Sequence, residues 1–281
     1  MASLIGTWDQ TGERKYETGV DRGVLYPGYD TEKKEYGKGV AWNGLTGVTE
    51  TPSGAEETKL YADNMKYLSL RSAEEFGGTI EAYTYPDEWQ ACDGSANLGG
   101  VTGVHVGQQA RSSFGMSYRT NVGNDTELSD HGYKLHLIYG ASVSPSERAY
   151  ATINDSPEAI TFSWEFTTTP VEIKTVSGLK PTACLTIDTT ELKDGKNNAK
   201  LKALEDILYG TESADPKLPT PDEVYALFKP TTYIYTEVTN PSVDDIATYY
   251  ERSGEEGSYV YTLTEDVTIN DEKTYYTRSE A

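Results

Sequence analysis

Apolar and polar residues alternate with a period of two along much of the first two thirds of the chain. Residues 132–141 show this most clearly, with large apolar side chains at every second position: Tyr133, Leu135, Leu137 and Tyr139. The positions between them hold Lys134, His136 and Ile138. This pattern predicts a β-strand with one buried face.

Similar short runs, separated by Gly, Asn and Asp turns, predict further strands up to about residue 190. The predicted strands cover residues 39–49, 66–71, 78–85, 112–120, 132–142, 159–168 and 182–188. Phe162, Trp164 and Phe166 share one face of their strand, which is predicted to point into the interior. The arrangement favours a mainly β protein with an antiparallel sandwich or barrel.

Helical signals are fewer and lie mostly late in the chain. Leucine and isoleucine recur with helical spacing over residues 201–208, either Asn197 or Asn198 can cap the start of this helix, and Gly210 can stop it. Thr220-Pro221-Asp222-Glu223 has the form of a capping box and predicts a short helix through Phe228. A third short helix is predicted over residues 86–92. One or two helices should therefore flank the β core.

Three stretches lack sustained periodicity. Residues 1–38 are rich in Gly, Tyr and charge and are predicted to form an extended arm outside the core. Residues 49–59 and 120–131 are predicted to be long polar loops. Because long loops in a compact domain usually serve a function, these two are candidates for docking onto neighbouring subunits.

The last 51 residues contain a duplication with an offset of 26. Residues 248–253 (TYYERS) recur as 274–279 (TYYTRS), and 233–236 (YIYT) recur as 259–262 (YVYT). We interpret residues 231–281 as two copies of a small β unit, each with two Tyr-rich strands joined by an acidic turn. The alternative is a loosely ordered tail. The predicted domains are therefore 1–230 and 231–281.

Charge narrows the possible functions. The 281 residues include 24 Lys and Arg against 45 Asp and Glu, a formal charge of −21. Tight binding of nucleic acid is disfavoured, since it depends on basic side chains that replace counterions on phosphates. The excess acid either keeps a concentrated protein soluble or forms a surface that repels a polyanion.

Candidate catalytic chemistry is sparse. The three histidines are His105, His131 and His136. Ser129-Asp130-His131 contains the residue types of a nucleophile triad, but neighbours in one turn cannot adopt triad geometry. Acidic pairs such as Glu56-Glu57, Glu74-Glu75 and Asp244-Asp245 are expected by chance among 45 acids. We predict no enzyme activity and no catalytic residues.

Cofactor and metal motifs are not found. Gly99-Gly100-Val101-Thr102-Gly103 lacks the spacing of a phosphate-binding fingerprint. Cys92 and Cys184 are far apart, without a Cys or His at zinc-ligand spacing, and are interpreted as free thiols. No cofactor-binding or metal residues are expected. The sequence begins without a signal-peptide pattern and has no apolar run of about 20 residues, so cytoplasmic synthesis without a membrane segment is expected.

Several blocks, in order along the chain, resemble the major tail protein, or tail tube protein, of long-tailed phages (siphovirus type) that infect Gram-positive bacteria. The similar stretches are 39–46 (GVAWNGLT), 57–64 (ETKLYADN), 79–86 (TIEAYTYP), 114–120 (FGMSYRT), 132–141 (GYKLHLIYGA), 144–148 (SPSER), 152–159 (TINDSPEA) and 218–224 (LPTPDEV). The similarity spans roughly residues 15–230. Residues 231–281 depart from it and look like an appended module.

The resemblance implies a structural protein of the virion, made in the host cytoplasm, that assembles into stacked rings, typically hexameric, around a channel for DNA. The implied partners are copies of the chain itself, a tape measure protein in the lumen, and tail terminator and distal tail proteins at the ends. Phage DNA would pass transiently and without sequence specificity. No membrane contact, catalytic residue or cofactor is implied.

Two other classes of function remain possible for this sequence. A carbohydrate-binding β-sandwich displayed on a surface would also be rich in Tyr and acid, although no export signal or calcium-type acidic motif is visible. A glycosidase is the enzymatic alternative, which hydrolysis of a chromogenic glycan would support. Images of tubes or rings would exclude both.

Overall fold

The computed structural model describes residues 8, 10–153, 155, 158–230, 233–238, 249–253, 259–263 and 274–280. By its internal contacts the chain divides into two compact units, Met1–Leu227 and Phe228–Ala281. The strands described in the first unit are β1 (Tyr16–Pro27), β2 (Tyr29–Asp30), β3 (Glu35–Tyr36), β4 (Val40–Ala41), β5 (Leu45–Glu50), β6 (Ser53–Gly54), β7 (Glu57–Ala62), β8 (Met65–Arg71), β9 (Glu74–Glu75), β10 (Gly77–Ala82), β11 (Ala96–Asn97), β12 (His105–Val106), β13 (Phe114–Asn124), β14 (Leu128–Val143), β15 (Phe162–Thr168) and β16 (Cys184–Asp188). The described helices are α1 (Gln90–Asp93), α2 (Ala199–Tyr209) and α3 (Pro221–Phe228), with 3₁₀ turns at Asp87–Trp89, Leu98–Gly100 and Gly195–Asn197.

An eight-stranded antiparallel sheet forms the body of the first unit. Its order is β4-β1-β13-β14-β15-β10-β5, and β16 pairs with β14. β4 and β5 lie at opposite ends of this order, yet only residues 42–44 separate them in the chain, and β1 contacts β5. The sheet therefore curls round on itself. The predicted mainly β, antiparallel sandwich or barrel with flanking helices is confirmed.

Aromatic side chains fill the inside of the curled sheet. The buried cluster comprises Leu25, Trp42, Ile80, Ala82, Trp89, Cys92, Phe114, Met116, Tyr118, Ile138, Ala141, Val143, Trp164 and Phe166. Trp89 lies at its centre, with ring centroids 4.6 Å from Trp42, 4.9 Å from Phe114 and 5.3 Å from Trp164. The prediction that Trp164 and Phe166 point inward, with Phe162 packed beside them, is confirmed.

The second face of the sheet is covered as well. The Tyr26 hydroxyl donates a hydrogen bond to the carbonyl of Leu208 in α2 at 2.8 Å. The Tyr139 hydroxyl donates to the carbonyl of Pro219, just before α3, at 2.9 Å. Residues 132–142 are a strand as predicted, but Ile138 is as buried as its neighbours Leu137 and Tyr139, so both faces are covered there.

The predicted helix starts are confirmed in detail. The Asn198 side chain accepts hydrogen bonds from the backbone NH groups of Lys200 and Leu201 at the start of α2. At α3, the Thr220 backbone NH donates to Glu223 at 2.7 Å, while the Glu223 NH donates to the Thr220 hydroxyl at 3.3 Å. This reciprocal pair is a capping box. Residues 86–92 form a 3₁₀ turn that continues into α1.

The prediction of an extended arm over residues 1–38 is wrong for its second half. β1 is a twelve-residue strand between β4 and β13 in the main sheet. Leu25 and Tyr26 are fully buried in it. Arg119 of β13 donates two hydrogen bonds to Asp21 of β1, at 2.7 and 2.6 Å. Two register irregularities in β1 disturb its periodicity, which is why the alternation does not identify it.

The predicted loop over residues 120–131 is also mostly strand. β13 continues to Asn124 and β14 begins at Leu128, which leaves a three-residue turn. The Asn124 side chain accepts hydrogen bonds from the NH groups of Thr126 and Glu127, at 3.1 and 2.6 Å. Polar residues dominate this stretch because it is the end of a long hairpin.

The described strands of the second unit are β17 (Tyr233–Val238), β18 (Tyr249–Ser253), β19 (Val260–Leu263) and β20 (Tyr275–Glu280). They form one antiparallel sheet in the order β17-β20-β18-β19. Tyr-rich strands are therefore present in both copies of the duplication, as predicted. The predicted acidic turns inside each copy, residues 239–248 and 264–273, lie outside the described residues.

Candidate assembly surfaces

A long two-stranded hairpin extends from Leu45 to Ala82. Its pairs β5–β10, β6–β9 and β7–β8 follow one another, because the chain runs outward over residues 45–62 and returns over 65–82. The β5–β10 pair, which we call the hairpin base, belongs to the main sheet. Residues 57–71, which we call the hairpin tip, pair with no other strand among the described residues.

The two faces of the hairpin tip differ in chemistry. Leu60 lies opposite Leu68, and Leu70 lies opposite Thr58, so the three leucines share one face. The other face is mainly charged and polar, with Glu57 opposite Arg71 and Lys59 opposite Ser69, although Tyr61 also lies on it. The tip is thus amphipathic, the arrangement expected of a strand pair with one face against another surface.

Nothing in the described part of this chain covers the leucine face. Leu60, Leu68 and Leu70 are 42%, 45% and 51% exposed. Tyr61, Met65 and Tyr67 near the turn are more exposed still. Contiguous exposed apolar side chains are uncommon on monomeric proteins and typically mark contact surfaces.

The turn of the hairpin tip suits a projecting strand pair. Asp63 and Asn64 have φ values of 52° and 61°. Positive φ at both central residues is the type I′ geometry, whose twist matches that of paired strands. Asp and Asn tolerate this conformation better than other non-glycine residues. Lys66 donates to Glu57 at 2.5 Å across the charged face.

The main sheet also has an edge at β5 that we call open, because no described strand is hydrogen-bonded to it, although β1 packs nearby. β5 pairs with β10 on one side and with no strand on the other, within the described ranges. Its unpaired backbone groups are a template for a further strand. The prediction of a long polar loop over residues 49–59 is wrong, because most of this stretch is strand: the end of β5, all of β6 and the start of β7. Sequence reasoning missed strand β7, although the Asp63-Asn64 turn between two alternating runs marks it.

The histidines form separate contacts. His131 Nδ1 lies 2.8 Å from Glu127 Oε2, and no hydrogen bond joins it to Ser129 or Asp130 in the described structure. His105 Nδ1 lies 3.1 Å from Gln90 Oε1. Ser129, Asp130 and His131 are therefore neighbours in the sequence, but they do not form a hydrogen-bonded triad in the described structure.

His136 belongs to a polar cluster at one end of the hairpin base. Its ring stacks on Tyr118 with centroids 4.6 Å apart, and Nδ1 lies 3.6 Å from Glu50 Oε1. The Tyr118 hydroxyl donates to Glu50 at 2.6 Å. The nearby His136 ring lowers the pKa of Glu50, burial opposes this, and the hydrogen bond from Tyr118 adds to the lowering. These contacts join β5 to β13 and β14.

The thiols have the environment of structural cysteines. Cys92 is buried, and burial raises the pKa of its thiol to about 12. Burial also raises the pKa of Cys184. Because the thiolate is the reactive form, both are poor nucleophiles at neutral pH.

Acid clusters do not assemble a metal site in the described residues, where no group of three His, Cys, Asp or Glu side chains is placed to hold an ion. Glu74 and Glu75 form β9, opposite Gly54 and Ser53, and are exposed. Asp244 and Asp245 lie outside the described residues.

A cavity of about 580 Å³ lies beside Gly140. Tyr29 and Tyr36 line it, with ring centroids 5.0 Å apart. The Tyr36 hydroxyl accepts a hydrogen bond from the Gly140 NH at 2.7 Å. Ser142 and Thr220 also line the cavity, so aromatic faces and hydroxyl groups are combined in one concave site.

Comparison with family models and with curated proteins finds no match for this chain. No helix in the described ranges has the length and apolar character required to cross a bilayer. The candidate functional surfaces are therefore those that the geometry itself offers: the hairpin tip, the open edge of β5 and the cavity beside Gly140.

Proposed function

We propose that this protein is the structural subunit of a tube built from copies of itself, of the kind that forms the tails of long-tailed phages. The copies stack as rings, and the tube is a conduit for DNA. The proposal agrees with the sequence resemblance over residues 15–230.

The observation that carries the proposal is the leucine face of the hairpin tip. An isolated pair of strands is marginally stable in water, so a projecting tip needs a surface to pack against. When one surface of a subunit binds a different surface of the next, the contacts close into a ring or continue as a helix. Copies of the chain that accept each other's tips would bury Leu60, Leu68 and Leu70.

The open edge of β5 supports the same proposal. A strand from a neighbouring copy that pairs with β5 would satisfy its free backbone groups. Pairing of edges around a ring leaves fewer exposed edges for uncontrolled aggregation. The hairpin tip and the edge lie on the same 38-residue hairpin, so one segment of the chain supplies both contacts.

The charge of −21 supports a channel that does not hold DNA. An acidic wall repels phosphates and offers no sites at which a moving polyanion would stall. A neutral or basic channel in an assembled ring would overturn this part of the proposal. A tape measure protein in the lumen and terminator and distal proteins at the ends are the further partners of such a tube.

Negative-stain electron microscopy tests the proposal with matched variants. We expect tubes or rings from the full chain at high concentration, and their loss in the double variant Leu60→Ser/Leu68→Ser. Lys59→Ala/Ser69→Ala changes the adjacent pair on the opposite face and should keep assembling. A full chain that stays monomeric, even with the other tail proteins present, contradicts the proposal, as does equal assembly of both variants.

The cavity favours carbohydrate binding as a second candidate function. Sugars are typically held by aromatic faces and by hydroxyl partners, and Tyr29, Tyr36, Ser142 and Thr220 provide both around one cavity. Titration calorimetry with a panel of cell-wall glycans is the test. Binding that Tyr29→Ala abolishes would support this function, and heat signals equal to buffer dilution would exclude it.

A further inference from the structure

The two copies of the duplication in the second unit do not pair their own strands. β17 and β18 belong to the first copy, and β19 and β20 to the second. Within the described residues β17 pairs with β20, and β18 pairs with β19 and β20. Every described strand pair of this unit therefore joins one copy to the other.

The pairing registers are related by a two-fold exchange of the copies. Tyr250 lies opposite Tyr276, its own counterpart 26 residues later. Tyr235 lies opposite Arg278, and its counterpart Tyr261 lies opposite Arg252. Ile234–Ser279 and Val260–Ser253 repeat the relation. If each residue is replaced by its counterpart in the other copy, 26 positions away, the Tyr235–Arg278 pair becomes the Tyr261–Arg252 pair, and the Ile234–Ser279 pair becomes the Val260–Ser253 pair.

The core of the unit is shared in the same way. Tyr235 and Tyr261, from different copies, stack with centroids 3.8 Å apart. The guanidinium of Arg252 lies 5.0 Å from the Tyr276 ring centroid, and that of Arg278 lies 5.1 Å from Tyr250. Each copy thus places an arginine over a tyrosine of the other, a favourable cation–π geometry. A single copy would have neither paired strands nor this core.

We infer that the second unit is a homotypic coupling element, in which the first copy of the duplication in one chain pairs with the second copy in another chain. The partner is a second molecule of this protein. Every strand pair and ring contact described above is available between two chains as well as within one, because only the connection between the copies differs. Exchange of identical elements is a low-cost route to association.

Concentration decides between the closed and the exchanged form. Within one chain the two copies meet at an effective concentration in the millimolar range, which favours closure in dilute solution. The exchanged form becomes more populated when many molecules are held close together, because the concentration of second copies from other chains then rises. Coupling of this kind does not depend on the hairpin tip and is independent of the function proposed above.

Cysteine pairs on opposite strands distinguish the two forms. Thr236 of β17 lies directly opposite Thr277 of β20, and neither is buried. The Thr236→Cys chain and the Thr277→Cys chain are unfolded in denaturant, mixed, refolded together at high concentration and oxidised. We expect a covalent species of twice the chain mass, with a 236–277 disulfide identified by mass spectrometry, and its loss when either variant is refolded alone.

Two controls make each outcome decisive. A single chain with both substitutions should form the 236–277 bond internally at low concentration, and its absence would overturn the register and the inference with it. Thr236→Cys mixed with Ser253→Cys, a position paired with Val260, should not give the covalent dimer. If the double variant closes internally but the mixed chains give no interchain bond, exchange does not occur and the inference is wrong.

Discussion

The base and the tip of the long hairpin differ in what lies against them. Both are antiparallel pairs of the same two chain segments. At the base, Ile80 and Ala82 are fully buried in the aromatic core. At the tip, every position of β7 is exposed. The two strands are therefore hydrogen-bonded to each other at both the base and the tip. Their side chains are buried only at the base, where the other strands of the main sheet pack against them.

This difference separates stability from assembly. Fully burying a large apolar side chain contributes about 1.5–3 kcal/mol, so the base is tied to the folding of the whole unit. The tip lacks that contribution within one chain and gains it only against a partner. Substitutions at the two ends should therefore affect different measurements.

The largest effect is expected from Trp89→Ala at the centre of the core. Removing a buried Trp that contacts three aromatic rings should lower the free energy of unfolding by about 3–5 kcal/mol. The midpoint of urea unfolding measures this. Tyr67→Ala at the tip, where the side chain is 74% exposed, is the control and should change stability by less than about 0.5 kcal/mol. Similar shifts in both variants would remove the distinction between the buried core, which includes Ile80 and Ala82 of the hairpin base, and the exposed tip.

A smaller, local effect is expected from Asn64→Val in the tip turn. A β-branched residue at positive φ costs about 1–2 kcal/mol, which should loosen β7–β8 and leave the base intact. Amide hydrogen exchange should become faster over residues 57–71 and stay unchanged over 77–82. Asn64→Gly, which adopts this conformation freely, should preserve protection. Faster exchange in both segments would show that tip and base unfold together.

Acid sensitivity should be a minor property of the base. Because the pKa of Glu50 is lowered in the folded state, its contribution is present above its ordinary value of 4.5 and is lost as pH falls through the lowered folded value. Glu50→Gln should slightly lower stability at pH 7 and flatten its decline below about pH 4.5. Urea midpoints from pH 3 to pH 7 measure this. Glu75→Gln, an exposed carboxyl in β9 of the same hairpin, is the control, and an equal change there would argue against a role for the His136 and Tyr118 contacts.

The smallest effect on assembly is expected from deletion of residues 231–281. Both the hairpin tip and the edge of β5 lie in the first unit, so the shortened chain should still form tubes in negative-stain images. Loss of tubes in this variant would mean that the second unit is part of the wall.

Local signals in the sequence determined the helices and most strands. Asn198 and the Thr220–Glu223 pair cap their helices by binding backbone groups within three residues. This capping role can therefore be predicted without knowledge of the fold. The inward aromatic face of β15 is likewise a local alternation.

The tertiary structure alone decided features that depend on distant partners. β1 joins the main sheet by pairing with β13, about a hundred residues away, and its residues 23–26 are buried there, while two register irregularities obscure its pattern. The pairing of the duplicated strands is a sharper case. Since both copies carry the same two Tyr-rich stretches, the sequence is equally compatible with strands paired within a copy or between copies. Only the three-dimensional arrangement, in which Tyr250 faces Tyr276, selects the second.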